Sequence, residues 1–183
     1  MSKKSRLISR KVLEDYMQTG KISNLHAFLL SLLNKEGLGL FSHYLKHNEN
    51  FAINADKGVL FHGSENYNES LTPNSSMGSD GNRENEAFVY ATENPDYAIF
   101  LAIIRLQDAE AGVIVEDGNA KLSISPGFVN GLSLIKEGFL HVVSSEDFEK
   151  TSNSEYQSKS SIETLFAFEV TSKDLSVPIE VRA

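Results

Sequence analysis

Three polar side chains stand where apolar runs end, and each is of a type that does chemistry at a ligand. His62 closes the run "GVLF" and is followed by Gly63 and Ser64. Tyr90 sits in "AFVYAT", directly ahead of "ENPDYAIFLAIIR". Glu155 lies in the serine-rich stretch "NSEYQS". An imidazole offers a hydrogen-bond donor and an acceptor in one ring, a phenol offers a flat face for stacking, and a carboxylate offers a fixed negative charge. Each also has a plain structural reading: a core histidine, a tyrosine packed at a strand end, a glutamate solvated in a turn. Taken singly, none identifies a function.

The elements that must position these residues follow from the spacing of apolar positions. From residue 5 to 47, Leu7, Ile8, Val12, Leu13, Tyr16 and Met17, then Leu25, Phe28, Leu29, Leu32 and Leu33, recur at steps of three and four. That spacing predicts two or three amphipathic helices, broken near "TGK" and "NKEGLG". After residue 50 the pattern changes to short apolar runs, "GVLFH", "AFVYAT", "AGVIVE", "GFLHVV" and "TLFAFEV", which predict strands. "ENPDYAIFLAIIR" opens like a helix, with Asn94 as N-cap and Pro95 in its first turn, so the preceding strand delivers Tyr90 to a helix mouth. Between the first two strands, "SENYNESLTPNSSMGSDGNRENE" predicts a long irregular loop of the kind that walls a binding site. The fold class expected is α+β, with a helical segment over residues 1–50 and a sheet-based domain over 51–183. The helical stripe should pack against the sheet, because isolated helices of this size are marginal in water.

Composition narrows the function classes. With no cysteine, the chain has neither a disulfide framework nor a thiolate metal site. A net charge of −8 argues against a generic nucleic-acid or anionic-membrane surface, which needs clustered cations. The exception is "MSKKSRLISRK", with Lys3, Lys4, Arg6, Arg10 and Lys11, read here as the solvated start of a helix. It lacks the apolar stretch of a signal peptide or a spanning helix, so no membrane association and a cytoplasmic location are expected. His43 and His47 share a helix face at a spacing of four, but no third ligand accompanies them, and a surface pair is expected in place of a metal site.

In order, "LFHGS", then "VYAT" ahead of Asn94 and Pro95, then "SEY" before a late strand, the chain resembles the histidine-tyrosine-glutamate branch of the ADP-ribosyltransferase superfamily. That branch includes diphtheria-toxin-like toxins and poly-ADP-ribose polymerases, and the resemblance covers about residues 58 to 171. It implies a split antiparallel or mixed sheet of the ADP-ribosyltransferase type and NAD as co-substrate. It implies that His62 donates to a hydroxyl of the adenosine ribose and that the Gly63 backbone holds the nicotinamide carboxamide. Tyr90 would stack on the nicotinamide ring, and Glu155 would support the charge that develops as the glycosidic bond breaks. Ser64, Ala91 and Thr92 flank the motifs and join the expected NAD contacts. Tyr97 is the candidate for a second ring on the nicotinamide, and Arg83, with Asn82, is the candidate for the pyrophosphate. Glu146, Glu149 and Glu163 compete with Glu155 for the carboxylate role.

The chemistry that this resemblance implies is coherent. Cleaving the nicotinamide–ribose bond creates an oxocarbenium-like centre, which a carboxylate stabilises while an aromatic face holds the leaving ring. The acceptor, a protein side chain, a nucleic acid, a small molecule or water, is open. Two other readings stand beside this one: an RNA 2'-phosphotransferase, which should carry basic residues around its cleft, and a catalytically inactive module that binds ADP-ribose or a protein partner.

Overall fold

The computed structural model describes residues 5–54, 56–73, 87–104, 111–116, 119–124, 137–151 and 154–181. Asn82, Arg83 and most of the long polar loop lie outside the described residues.

Helix α1, Arg10–Thr19, starts where Ser9 accepts a hydrogen bond from the Val12 N–H. Arg10 and Lys11 of the basic stretch open this helix, and residues 5–9 ahead of it are not helical. Leu7 forms a parallel bridge to Ala167, and the Ile8 N–H donates to the Ala167 carbonyl at 2.8 Å. Helix α2, Leu25–Leu32, and helix α3, Lys35–Asn48, are each capped by an asparagine, Asn24 and Asn34. The expected break at "NKEGLG" is therefore confined to its first residue, and Gly37 and Gly39 lie inside α3. Gly37 is needed there because a Cβ would fall 2.0 Å from the Ser31 carbonyl oxygen, at the close approach of α3 to the end of α2.

The sheet strands are β1 Val59–Ser64, β2 Ser70–Leu71, β3 Val89–Thr92, β4 Ala111–Glu116, β5 Asn119–Ile124, β6 Gly138–Ser144, β7 Glu149–Lys150, β8 Glu155–Ser158, β9 Ile162–Val170 and β10 Ile179–Val181. Seven of them form one antiparallel sheet in the order β2-β9-β6-β1-β3-β8-β7. The other three form a small sheet, β10-β5-β4, with β10 parallel to β5. The architecture is thus α+β with a mostly antiparallel main sheet.

Helix α4, Pro95–Ile103, begins at Asn94 and Pro95 as the sequence predicts. Apart from Asp96 and Tyr97 in its first turn, its segment "PDYAIFLAI" is apolar all round, which marks a buried helix, and Ala98, Ile99, Phe100, Ala102 and Ile103 are buried. It lies so close to the sheet that two neighbouring strands must carry glycine beneath it. A Cβ on Gly63 would fall 1.9 Å from the Ala98 carbonyl oxygen, and one on Gly138 would fall 2.0 Å from that of Ala102.

The N-terminal helices share this core. Phe28 and Phe41 pack edge to face at 4.9 Å, and Phe41 meets Phe166 of β9 at 5.3 Å. All three rings are fully buried. A second apolar cluster, Leu60, Leu71, Val89, Ala91, Val143 and Ile162, is built from alternate strand positions. Both faces of the main sheet are therefore covered over much of its area. Among the described residues, no helix is long and apolar enough to cross a membrane.

Candidate active site

Strand β1 has six paired positions with β6 but meets β3 at one, Phe61 opposite Thr92. Thr92 in turn lies opposite Glu155 on β8. One row across three strands thus runs Phe61, Thr92, Glu155. Beyond that row the β1–β3 seam is the wall of a cleft, floored by α4 and lined by His62, Gly63, Tyr90, Ala91, Thr92, Tyr97, Leu101 and Glu155, with Phe61 and Ala98 at its base. Its empty space, counted out to the open mouth, is about 320 Å3.

The cleft brings together seven of the residues expected from the sequence: His62, Gly63, Tyr90, Ala91, Thr92, Tyr97 and Glu155. Ser64 is not among the lining residues, and its hydroxyl accepts the Asn66 N–H at 3.4 Å. Arg83 lies outside the described residues. Of the competing carboxylates, Glu146 pairs with Lys57 at 3.8 Å and Glu163 sits on β9 opposite Ser70, while Glu149 is an exposed residue of β7. None of these three lines the cleft. Glu155 is not in a turn, as its serine-rich context suggests, but is the first residue of β8. Its carbonyl is held by the Thr151 N–H at 2.9 Å and the Thr151 hydroxyl at 3.2 Å.

His62 departs from its expected role as a donor to ligand. Its Nδ1 lies 2.5 Å from the Tyr90 carbonyl oxygen. A carbonyl only accepts, so Nδ1 carries the proton. Burial lowers the pKa of the ring, with the Tyr90 hydrogen bond as a smaller opposing effect. The neutral ring therefore presents Nε2 as an acceptor, and a ligand hydroxyl must donate to it.

Gly63 also has a reason other than the expected one. Its missing Cβ is required by α4, so close packing of helix on strand is sufficient to explain the glycine. Thr92 is buried, and its hydroxyl accepts the Asn94 N–H at 3.0 Å, which shapes the turn into α4. Asn94 Oδ1 then accepts the Tyr97 N–H at 3.0 Å. The Tyr97 hydroxyl donates to Glu155 Oε2 at 3.3 Å. Burial first, and the Glu155 charge second, push the Tyr97 phenol up to about 12, so it remains a donor throughout the physiological range.

One further histidine lies behind the cleft, and its role was not legible from its own strand. His141 lies opposite His62 in the β1–β6 register, with ring centroids 5.9 Å apart, and is fully buried. Its Nε2 accepts the Asn68 N–H at 3.0 Å, which ties the start of the polar loop to β6. Among the described residues, its Nδ1 has no hydrogen-bond partner in good geometry. Burial, and then the neighbouring His62, push its pKa down to about 4. The signal was present in "GFLHVV", where a titratable ring interrupts an otherwise apolar strand.

On α3, the His43 and His47 rings lie 4.0 Å apart and tilted by 35°, with His47 Nδ1–H donating to the His43 carbonyl. Among the described residues, no group of three or more ligating side chains is placed to hold a metal. Comparison with protein-family models, with curated proteins and with solved structures finds no match.

Proposed function

We propose that the protein is an NAD-dependent ADP-ribosyltransferase that cleaves the nicotinamide–ribose bond in the β1–β3 cleft and passes ADP-ribose to an acceptor. The observation that carries this reading is the convergence of His62, Tyr90 and Glu155, from three different strands and 28 to 93 positions apart, on one cleft. Their chemistry suits the step. The Glu155 carboxylate supplies negative charge beside a ribose that becomes positive as the bond to nicotinamide lengthens. Tyr90 supplies a stacking face for the leaving ring, and His62 Nε2 accepts from a ribose hydroxyl.

The test is release of nicotinamide from NAD by the full chain, with label transfer to lysate components as the readout for an acceptor. Glu155→Gln keeps the size and removes the charge, so turnover should fall by about a hundredfold with little change in NAD affinity. Tyr90→Ala should weaken binding first, because stacking is already present in the ground state. Absence of nicotinamide release together with undetectable NAD binding by calorimetry would leave a non-catalytic binding module as the better account.

A further inference from the structure

Tyr97 and Glu155 reach each other from separate elements, and both are fixed before their side chains meet. Tyr97 stands in the first turn of α4, where Asn94 accepts its N–H. Glu155 is held through its carbonyl by Thr151 and through its place opposite Thr92. A glutamate side chain has three rotatable bonds and wanders unless something holds its end. The phenol is the group that does so here, donating to Oε2 at 3.3 Å. The spacing is longer than the roughly 2.7–2.8 Å common for O–H···O bonds, as catalytic hydrogen bonds often are before substrate arrives.

We propose that Tyr97 is a positioning residue for Glu155: its hydroxyl holds Oε2, which orients the carboxylate and leaves Oε1 to face the ribose. This rests on the function proposed above, and it assigns Tyr97 a task different from that of a ring stacked on nicotinamide. A stacking residue contributes through its face and is indifferent to its hydroxyl. A positioning residue contributes through its hydroxyl. The positive charge on the ribose grows only as the bond breaks, so a misdirected carboxylate costs rate more than affinity.

Tyr97→Phe separates the two roles, because it keeps the ring and removes the donor. Tyr90→Phe is the control, since it alters the other cleft tyrosine in the same way. In the protein without NAD, the 13C carboxyl resonance of Glu155, identified by its loss in Glu155→Gln, should move in Tyr97→Phe and keep its position in Tyr90→Phe. With NAD, Tyr97→Phe should lower kcat for nicotinamide release about tenfold and leave KM within about twofold. An unmoved resonance overturns the proposal, as does a raised KM with kcat unchanged. A wild-type protein that neither binds NAD nor releases nicotinamide overturns the function instead, and the resonance alone then decides whether Tyr97 orients the carboxylate.

Discussion

His62 and His141 are neighbouring imidazoles held neutral by burial, and their pKa values lie below the ordinary 6.5. A histidine whose folded pKa is depressed contributes its full stability above the unfolded pKa and loses it as pH falls toward the folded one. For His141 that window runs from 6.5 down to about 4, and the gap is worth on the order of 3 kcal/mol. Urea unfolding at pH 7, 5.5 and 4.5 should therefore show a steep loss of stability. His141→Gln retains an acceptor for the Asn68 N–H but does not titrate, so it should flatten that loss. An equally steep fall in the variant would assign the acid sensitivity to other groups. The residue types at the site were readable in the sequence because histidine, tyrosine and glutamate each follow a recognisable local pattern. What the sequence did not contain was direction. Nothing in "LFHGS" says which ring nitrogen of His62 meets the Tyr90 carbonyl, since that depends on the spacing of two strands far apart in the chain.

At the scale of elements, α4 is the part on which the site rests. It presents Tyr97 to Glu155 and lies directly on Gly63 and Gly138. Gly63→Ala places a Cβ 1.9 Å from the Ala98 carbonyl oxygen and 2.8 Å from the Ala102 nitrogen, and both are backbone atoms that do not yield cheaply. The variant should lose about 1–3 kcal/mol of stability. Gly39→Ala, in the interior of α3 with nothing among the described residues within 4 Å of the new Cβ, should gain about 0.5–1 kcal/mol. Chemical denaturation of both variants checks the contrast, and equal effects would remove the special status of Gly63. The opening of α4 was legible because Asn94 and Pro95 are strong local signals. The start of α3 was obscured because its two glycines read as breakers. One of them serves the approach of α3 to α2, a reason that lies outside its own helix. The short strands β7 and β8 carry too few residues to show a period of two, so Glu155 read as part of a loop.

For the whole molecule, the helices over residues 1–50 and the sheet complete one another. Phe28 and Phe41 are buried together with Phe166 of β9, and Leu13, Leu29, Leu32 and Leu45 belong to the same apolar cluster. Arg10 adds an ion pair to Asp174 at 2.9 Å. Truncating a buried phenylalanine costs about 3–5 kcal/mol, so losing several such contacts at once exceeds the stability of an ordinary domain. A chain lacking residues 1–48 should not show a cooperative thermal transition. A soluble fragment that melts cooperatively would mean that the sheet holds its core without them. The apolar stripe announced that these helices needed a partner. Which surface they cover was not legible, because the contact joins Phe41 to a residue 125 positions away.

The bond from His62 to the Tyr90 carbonyl spans two strands that share a single paired position. In mechanical language the imidazole is a strut, setting the width of the gap while its outer nitrogen faces whatever fills it. An alanine scan scored on the proposed activity would therefore register one loss at position 62 for two separate defects, a collapsed or widened slot and a missing acceptor. Only a measurement of shape alongside one of turnover can tell the strut from the hand it extends.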